Sequence, residues 1–151
     1  YNQIKDNKPI TITDPKMTRF MMSLDNAVEL VLYAFQNGKT GDIFVQKAPS
    51  TTIGELAETM KTIYNSNTKI KNIGIRHGEK IHETLLSQEE RIVSEDLGQY
   101  FRIPADNRDL NYDKYFSKGV KAPKSEEFNS FNTVRLEKKE LINLLASIGY
   151  K

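Results

Sequence analysis

Segments typical of strands alternate along this chain with segments of helical periodicity, and this order constrains the fold more than any other feature. Strand-like segments, rich in β-branched and apolar residues, are predicted at Ile10–Thr13, Asp42–Gln46, Ile70–Ile75 and Tyr100–Ile103. Helices are predicted at Ser23–Phe35, Thr52–Ile63, Ser87–Val93 and Leu136–Ile148. Such alternation is typical of an α/β fold with some parallel strand pairing.

The helix predicted at Ser23–Phe35 has the clearest amphipathic pattern. Its apolar residues recur at helical spacing and form one stripe: Leu24, Ala27, Val28, Val31, Leu32 and Phe35. Two later helices begin with capping-box patterns, Thr52 with Glu55 and Ser87 with Glu90. Residues 106–132 are rich in Asn, Asp, Lys and Ser, which predicts a long loop that is functional or mobile.

Composition excludes several functional classes. The 151 residues contain no cysteine, which rules out disulfide scaffolds, thiolate zinc sites and cysteine nucleophiles. Lys and Arg number 22 against 20 Asp and Glu, so a net charge of +2 argues for neither a nucleic-acid nor a membrane partner. No apolar run approaches the roughly 18 residues of a membrane span, and no signal peptide is visible. We therefore expect a single soluble, cytoplasmic domain covering residues 1–151.

The stretch from Ile73 to Leu86 holds the most informative candidate site. Arg76 directly follows a predicted strand and begins a turn that contains Gly78. Glu79 is the residue after Gly78. A guanidinium suits bidentate binding of a phosphate or diphosphate, and a carboxylate suits the paired hydroxyls of a ribose. The alternative is a surface turn that carries a solvated Arg–Glu pair.

Two further stretches carry candidate cations. Arg19 lies among apolar neighbours, so it is either paired with a carboxylate such as Asp14 or available to a ligand anion. Arg102 and Asp109 belong to Tyr100–Tyr115, where aromatic and charged residues are interleaved. That segment could contact a base or sugar, bind single-stranded nucleic acid by stacking, or be a loop held down by its aromatic residues. The balanced charge disfavours nucleic acid.

The sequence predicts no catalytic, cofactor-binding or metal-binding residue in this chain. His77 and His82 are separated by five positions with Gly78 between them, which is not the helical spacing of a His-Glu-x-x-His zinc site. The chain also contains neither a Gly-x-Gly-x-x-Gly nor a Walker phosphate-binding loop.

Several separated motifs resemble one enzyme family, in the order in which that family carries them. Residues 9–22, PITITDPKMTRFMM, resemble the segment that follows the Rossmann half in nucleotide-sugar 4,6-dehydratases of the extended short-chain dehydrogenase/reductase family. Residues 76–83, RHGEKIHE, resemble the second nucleotide-sugar motif of those enzymes. Residues 102–112 and 132–136 resemble the C-terminal region of the CapE-type capsular and O-antigen enzymes.

The resemblance implies an activity and roles for the candidate residues. CapE-type enzymes use NAD(P) to convert UDP-N-acetylglucosamine to a 4-keto-6-deoxy sugar with inversion at C5, toward UDP-N-acetyl-L-fucosamine for capsule or O-antigen. It implies that Arg76 contacts the diphosphate, that Glu79 contacts the uridine ribose, and that Arg19 is a second phosphate-side cation. Arg102 and Asp109 would lie near the substrate or the domain junction.

The resemblance also implies that this chain is part of a longer enzyme. In the family, the NAD loop, the hydride site and the catalytic base lie in an N-terminal Rossmann half, which this sequence lacks. We therefore expect the C-terminal substrate-binding portion: a small mixed sheet with helices that binds a UDP-N-acetylhexosamine, holds no NAD(P) and is inactive alone. Its expected partners are the missing half and further copies in a homo-oligomer.

The separation from a Rossmann half has a structural consequence. One apolar face, that of the Ser23–Phe35 helix, is expected to be exposed or covered by another copy of the chain. Two alternatives from other functional classes stay open: a free-standing module that binds a nucleotide sugar without catalysis, and a module that serves oligomerisation.

Overall fold

The computed structural model describes residues 1–106 and 126–150. Within these ranges the helices are α1 (Asn2–Lys5), α2 (Leu24–Asn37), α3 (Ile53–Ile63), α4 (Gln88–Val93) and α5 (Lys138–Ser147). The strands are β1 (Ile10–Ile12), β2 (Thr18–Phe20), β3 (Ile43–Gln46), β4 (Ser50–Thr52), β5 (Ile70–Asn72), β6 (Thr84–Leu86), β7 (Glu95–Asp96), β8 (Tyr100–Ile103) and β9 (Phe128–Asn129). The predicted mixed α/β class is confirmed.

The chain divides into two compact units whose segments alternate along the sequence. Unit 1 comprises Tyr1–Ser23, Ala48–Glu83 and Asn129–Lys151. Unit 2 comprises Leu24–Lys47 and Thr84–Phe128.

Unit 1 combines two small sheets with α3 and α5. Strand β1 runs parallel to β5, with Ile10 opposite Ile70, which confirms the parallel pairing expected from the alternation of elements. Strand β2 runs antiparallel to β4, which leads directly into α3. Helix α3 packs against α5, and Met17, Leu141 and Leu145 are buried. The β2–β4 pair thus ties the segment that carries Arg19 to the start of α3.

Unit 2 is built on an antiparallel sheet in the order β3–β8–β7. Val45, Leu86 and Phe101 form its buried cluster, against which two partly buried apolar side chains pack. Tyr33 of α2 stacks on Tyr100 of β8, with ring centroids 4.3 Å apart. Aromatic packing therefore holds α2 to this sheet.

The four predicted helices are present, with ends close to those expected. Helices α3 and α4 begin with the predicted capping boxes, and in each the two reciprocal hydrogen bonds are formed. These signals succeeded because a cap and an apolar stripe depend on residues close together in sequence.

The strands differ more from prediction. The strand expected at Ile70–Ile75 ends at Asn72, and Gly74 then takes a φ of 83° that interrupts the extended backbone. Elements α1, β2, β4, β6, β7 and β9 were not predicted, because each is short and none shows the alternation of apolar and β-branched polar residues by which β1 was predicted. Most of the predicted loop 106–132 falls outside the described residues, and near its end Phe128–Asn129 forms β9.

Candidate functional site

Arg76 and Glu79 close the predicted turn that follows β5. The backbone N–H of Glu79 donates to the carbonyl oxygen of Arg76 at 3.1 Å, and the N–H of Arg76 donates to Glu79 Oε2 at 3.2 Å. Between them Gly78 has a φ of 79°, in the region that favours glycine. Both candidate side chains therefore start from one short turn.

The guanidinium of Arg76 has no partner within the described residues. The residue is exposed, and its only hydrogen bond to another described side chain uses its backbone N–H. A guanidinium presents a planar fork of donors that matches two phosphate oxygens. Arg76 can therefore take up an anion without giving up a contact to the described part of the chain.

The carboxylate of Glu79 is held from several sides. Thr13 Oγ1 donates to Oε1 at 3.4 Å, and Arg19 Nη2 lies 3.9 Å from the same oxygen. The other oxygen accepts the N–H of Arg76. The side chain is still 28% exposed, and a carboxylate has lone pairs for further donors. Glu79 is thus fixed in orientation and able to accept hydrogen bonds from ligand hydroxyls.

Arg19 fastens the residues that follow this turn. From β2, its Nη1 donates to the carbonyl oxygens of Thr18 at 2.8 Å and Ile81 at 3.3 Å, and Nη2 donates to that of Lys80 at 3.0 Å. The two contacts to the carbonyls of Lys80 and Ile81 restrict the path of the chain beside the turn.

Carboxylates also surround Arg19. Glu83 Oε1 lies 3.6 Å from its Nε, and Glu79 Oε1 lies 3.9 Å from its Nη2. The intraprotein pairing that the sequence allowed is therefore present, with Glu79 and Glu83 as the partners in place of Asp14. The role of Arg19 as a phosphate contact stays a prediction.

Arg102 belongs to β8 in unit 2, where it joins an ion-pair network. Its Nη2 donates to Glu95 Oε1 at 2.8 Å, and its Nε lies 3.8 Å from Asp42 Oδ2. Asp42 accepts the N–H of Lys39 at 3.0 Å, and chiefly through this bond the pKa of its carboxyl lies below the usual 3.8, although burial acts in the opposite direction. These contacts give Arg102 a structural role, and its role near the substrate stays a prediction.

Asp109 lies outside the described residues, so its predicted role near the substrate stays a prediction as well. Within residues 1–106 and 126–150, no group of three or more His, Cys, Asp or Glu side chains is arranged to hold a metal ion. Among the helices of these ranges, none has the length and apolar character that crossing a bilayer requires.

The sequence did not indicate a hydrogen-bonded group around His82. His82 Nδ1 lies 2.8 Å from Thr18 Oγ1, which lies 2.6 Å from Ser130 Oγ. Thr18 is 64 residues from His82 and 112 from Ser130 in sequence. Only the fold brings these three residues together, because no motif links positions so far apart.

Comparisons with known proteins agree over almost the whole chain. A family model described as "Polysaccharide biosynthesis protein" matches residues 1–105, and one described as "Polysaccharide biosynthesis protein C-terminal" matches residues 106–150. Proteins named UDP-glucose 4-epimerase are similar in sequence: that of Rickettsia bellii is 55% identical over 150 residues, and that of Rickettsia felis is 53% identical. Both alignments cover 99% of this chain and 44% of the relative, so the chain spans less than half of the length of these curated relatives.

A solved structure is also similar. The X-ray structure of Pen from Bacillus thuringiensis superposes with a TM-score of 0.77 at 34% sequence identity, and covers 97% of this chain and 43% of that one. Fold and sequence similarity therefore both extend over nearly the whole of this chain.

Proposed function

The chain belongs to the polysaccharide biosynthesis protein family, and on that premise we propose that it is the nucleotide-sugar-binding part of a UDP-N-acetylglucosamine 4,6-dehydratase that inverts C5. The parent enzyme acts in the cytoplasm and supplies UDP-N-acetyl-L-fucosamine precursors for capsule or O-antigen. The chain alone binds the UDP-N-acetylhexosamine and does not turn it over, because binding energy becomes catalysis only beside a reacting centre.

The observation that carries this proposal is the pair of side chains on the turn after β5. Arg76 offers an exposed guanidinium without a partner in the described residues, and Glu79 offers a carboxylate whose direction is already fixed. A cation for the diphosphate and an acceptor for the ribose hydroxyls are the two groups that recognise a nucleoside diphosphate. Arg19 supports the site by holding the chain beside it.

A second candidate function comes from the relatives. Proteins 53–55% identical to this chain are named UDP-glucose 4-epimerase. An epimerase of that kind uses the same uridine diphosphate group with a different sugar, so the Arg76–Glu79 turn serves either reaction equally well. The two candidates differ in which sugar the intact enzyme accepts.

The proposal assigns NAD(P) to a Rossmann half outside this chain, since the sequence contains no glycine-rich dinucleotide loop. The apolar stripe of α2 is the proposed surface for that half, because Leu24 is 78% exposed, Val31 65% and Phe35 89%. A contiguous exposed apolar face of this kind typically binds a partner. Homo-oligomerisation belongs to the same proposal.

Titration calorimetry with UDP, UDP-N-acetylglucosamine and UDP-glucose tests the proposal on this chain. We expect the wild-type chain to bind all three through the common diphosphate and ribose. Arg76→Ala should weaken binding by about 10- to 100-fold, the usual effect of losing hydrogen bonds to a charged group. Arg76→Lys should recover only part of the loss, because an ammonium does not present the bidentate fork.

Lys71→Ala is the matched control, since Lys71 is an exposed cation on β5 and its loss changes the net charge equally. Equal weakening by Arg76→Ala and Lys71→Ala would mean that only net charge matters. No binding of UDP by the folded wild-type chain would contradict the proposed function. Tighter binding of UDP-N-acetylglucosamine than of UDP-glucose favours the dehydratase, and the reverse order favours the epimerase.

A further inference from the structure

Four hydrogen bonds in unit 1 meet at the side chains of Thr18 and Ser130. Thr18 Oγ1 lies 2.8 Å from His82 Nδ1 and 2.6 Å from Ser130 Oγ. Ser130 Oγ donates to the carbonyl oxygen of Thr18 at 3.1 Å and accepts the backbone N–H of Glu83 at 2.9 Å. Thr18 is 1% exposed and Ser130 is fully buried, so these hydroxyls satisfy one another within the protein.

Counting protons determines the direction of these bonds. The single hydroxyl proton of Ser130 goes to the Thr18 carbonyl, so the contact between the two hydroxyls needs the proton of Thr18. Thr18 then has no proton left for His82, and Nδ1 of His82 must be the donor to Thr18 Oγ1. The reverse direction would break the bond from Ser130 to the Thr18 carbonyl and leave that oxygen with the Arg19 guanidinium as its side-chain donor. All four contacts are satisfied together only when His82 carries a proton on Nδ1.

A neutral histidine with its proton on Nδ1 has an unprotonated Nε2, which is a hydrogen-bond acceptor. No residue in the described ranges forms a hydrogen bond with His82 Nε2, and this atom is not among their buried unpaired polar atoms. Because the residue is only half-buried, Nε2 is reachable from solvent.

The aromatic neighbour of His82 indicates the kind of ligand. The Phe131 ring lies 4.8 Å from the His82 ring, centroid to centroid, and Phe131 is 63% exposed. An exposed aromatic face beside one polar acceptor suits a ligand that combines an apolar face with a hydroxyl group, as sugars and nucleosides do.

We propose that Thr18 and Ser130 lock His82 in its Nδ1–H tautomer, so that Nε2 accepts a hydrogen bond from a hydroxyl group of the nucleotide sugar. The identity of the ligand rests on the proposed function, whereas the tautomer lock does not.

Long-range ¹⁵N–¹H NMR of the histidine-labelled chain tests the lock without ligand or substitution. The chain has two histidines, and exposed His77, which forms no side-chain hydrogen bond to a described residue, is the internal reference. We expect His82 to populate mainly the Nδ1–H form at neutral pH, and His77 to populate mainly the Nε2–H form that free histidine prefers. A majority of Nε2–H at His82 would overturn the lock.

Two variants test the cause of the lock. Ser130→Ala removes the acceptor of the Thr18 proton, so that the hydroxyl turns to Nδ1 and the Nε2–H tautomer becomes the main form. Thr18→Ser keeps the hydroxyl and should retain the Nδ1–H form. Ser147→Ala is the matched control, because its hydroxyl bonds the Leu144 carbonyl in α5, and it should leave the His82 tautomer unchanged. If folded Ser130→Ala keeps the Nδ1–H tautomer at His82, Ser130 is not a cause of the lock, and this part of the proposal is overturned.

Titration with UDP and with UDP-N-acetylglucosamine tests the acceptor role. A hydrogen bond to Nε2 should move its ¹⁵N resonance upfield when the ligand saturates the site. If UDP already produces this shift, the hydroxyl group belongs to the ribose. If UDP-N-acetylglucosamine produces the shift and UDP does not, the hydroxyl group belongs to the sugar. His82→Asn keeps a donor where Nδ1 stands and lacks Nε2, so it should bind about tenfold more weakly while remaining folded.

The outcomes separate the two proposals. Calorimetric binding with an unmoved Nε2 resonance overturns the acceptor role and leaves the proposed function standing. Absence of binding overturns the proposed function together with the acceptor role. The tautomer of His82 in the free chain still shows whether Thr18 and Ser130 lock it in the Nδ1–H form.

Discussion

Asp42 illustrates at the residue scale how one carboxylate organises the irregular chain in unit 2. Its two oxygens accept the N–H groups of Lys39 and Ala105 at 3.0 and 3.3 Å, and its side chain is only 4% exposed. The Arg102 guanidinium lies beside it. The Lys39 N–H is the largest cause of the lowered pKa, and it outweighs the opposing effect of burial.

This lowered pKa predicts a component of acid sensitivity. Because the folded-state pKa of Asp42 lies below the ordinary 3.8, the unfolded chain takes up this proton first as the pH falls. The stability contributed by Asp42 is therefore complete above about pH 3.8 and is lost as the pH falls through the folded-state pKa. Asp42→Asn should lower the free energy of unfolding at neutral pH and flatten its decline in acid.

Urea unfolding at a series of pH values from neutral to strongly acidic measures both effects. Asp25→Asn, which removes an exposed carboxylate in the first turn of α2, is the matched control for the change in charge. If the two variants show the same pH profile, the hydrogen bonds to Asp42 do not contribute to stability in the expected way.

At the scale of single elements, the start of α3 is determined locally. Thr52 Oγ1 accepts the N–H of Glu55 at 3.0 Å, and Glu55 Oε2 accepts the N–H of Thr52 at 3.2 Å. Burial alone would raise the pKa of Glu55, but the hydrogen bonds from Thr52 and Thr51 outweigh it and lower that pKa. The capping box that predicted this helix start therefore also contributes to lowering the pKa of Glu55.

Removing the cap should cost a measurable part of the stability of unit 1. Thr52→Ala deletes the side-chain acceptor and should lower the free energy of unfolding by about 1 kcal/mol, the typical value for an N-cap. Thr62→Ala makes the same substitution at an exposed position within α3 and should be nearly neutral. Urea denaturation of the two variants measures their free energies of unfolding. Equal losses of free energy in both variants would show that the Thr52 hydroxyl does not act as a cap.

At the scale of the whole molecule, the amphipathic pattern of α2 predicted a helix with one apolar face that packs against another protein surface. Tyr33 packs on Phe44 and Tyr100, but Leu24, Val31 and Phe35 are more than half exposed. No residue of α2 is fully buried. A helix stripe of this kind leaves the isolated chain with apolar surface that favours association.

This exposed stripe predicts self-association of the isolated chain. The double substitution Val31→Gln and Phe35→Gln should reduce association in sedimentation velocity and lower the fluorescence of the apolar dye ANS. The free energy of unfolding should change by only about 0.5 kcal/mol, since both side chains are exposed. Val134→Gln with Ile148→Gln, two exposed apolar positions of unit 1, is the control and should leave association unchanged. Loss of folding in the α2 variant would mean that its stripe is buried within the chain.

The helices and their caps follow from sequence because their signals lie within a few residues: an apolar stripe for α2, and capping boxes for α3 and α4. The Arg76–Glu79 turn follows for the same reason, since the turn and its side chains lie within four consecutive residues. Strands β2 and β4 were not predicted, although β1 is equally short, because TRF and STT lack the alternation of apolar and β-branched polar residues that predicted β1.

Tertiary packing alone decides which distant groups meet. The sequence established that Arg19 is a cation among apolar neighbours, but its carboxylate partners became known only when the fold brought Glu79 and Glu83 to it. In the same way, no sequence pattern linked His82 to Thr18 and Ser130, which are 64 and 48 positions away. The fold places the Thr18 hydroxyl at His82 Nδ1 and the Ser130 hydroxyl at that of Thr18. The physical reason is that helix periodicity and capping hydrogen bonds depend on residues close together in sequence. The histidine tautomer, the partners of an ion pair and the exposure of a side chain depend on segments that become neighbours only through packing.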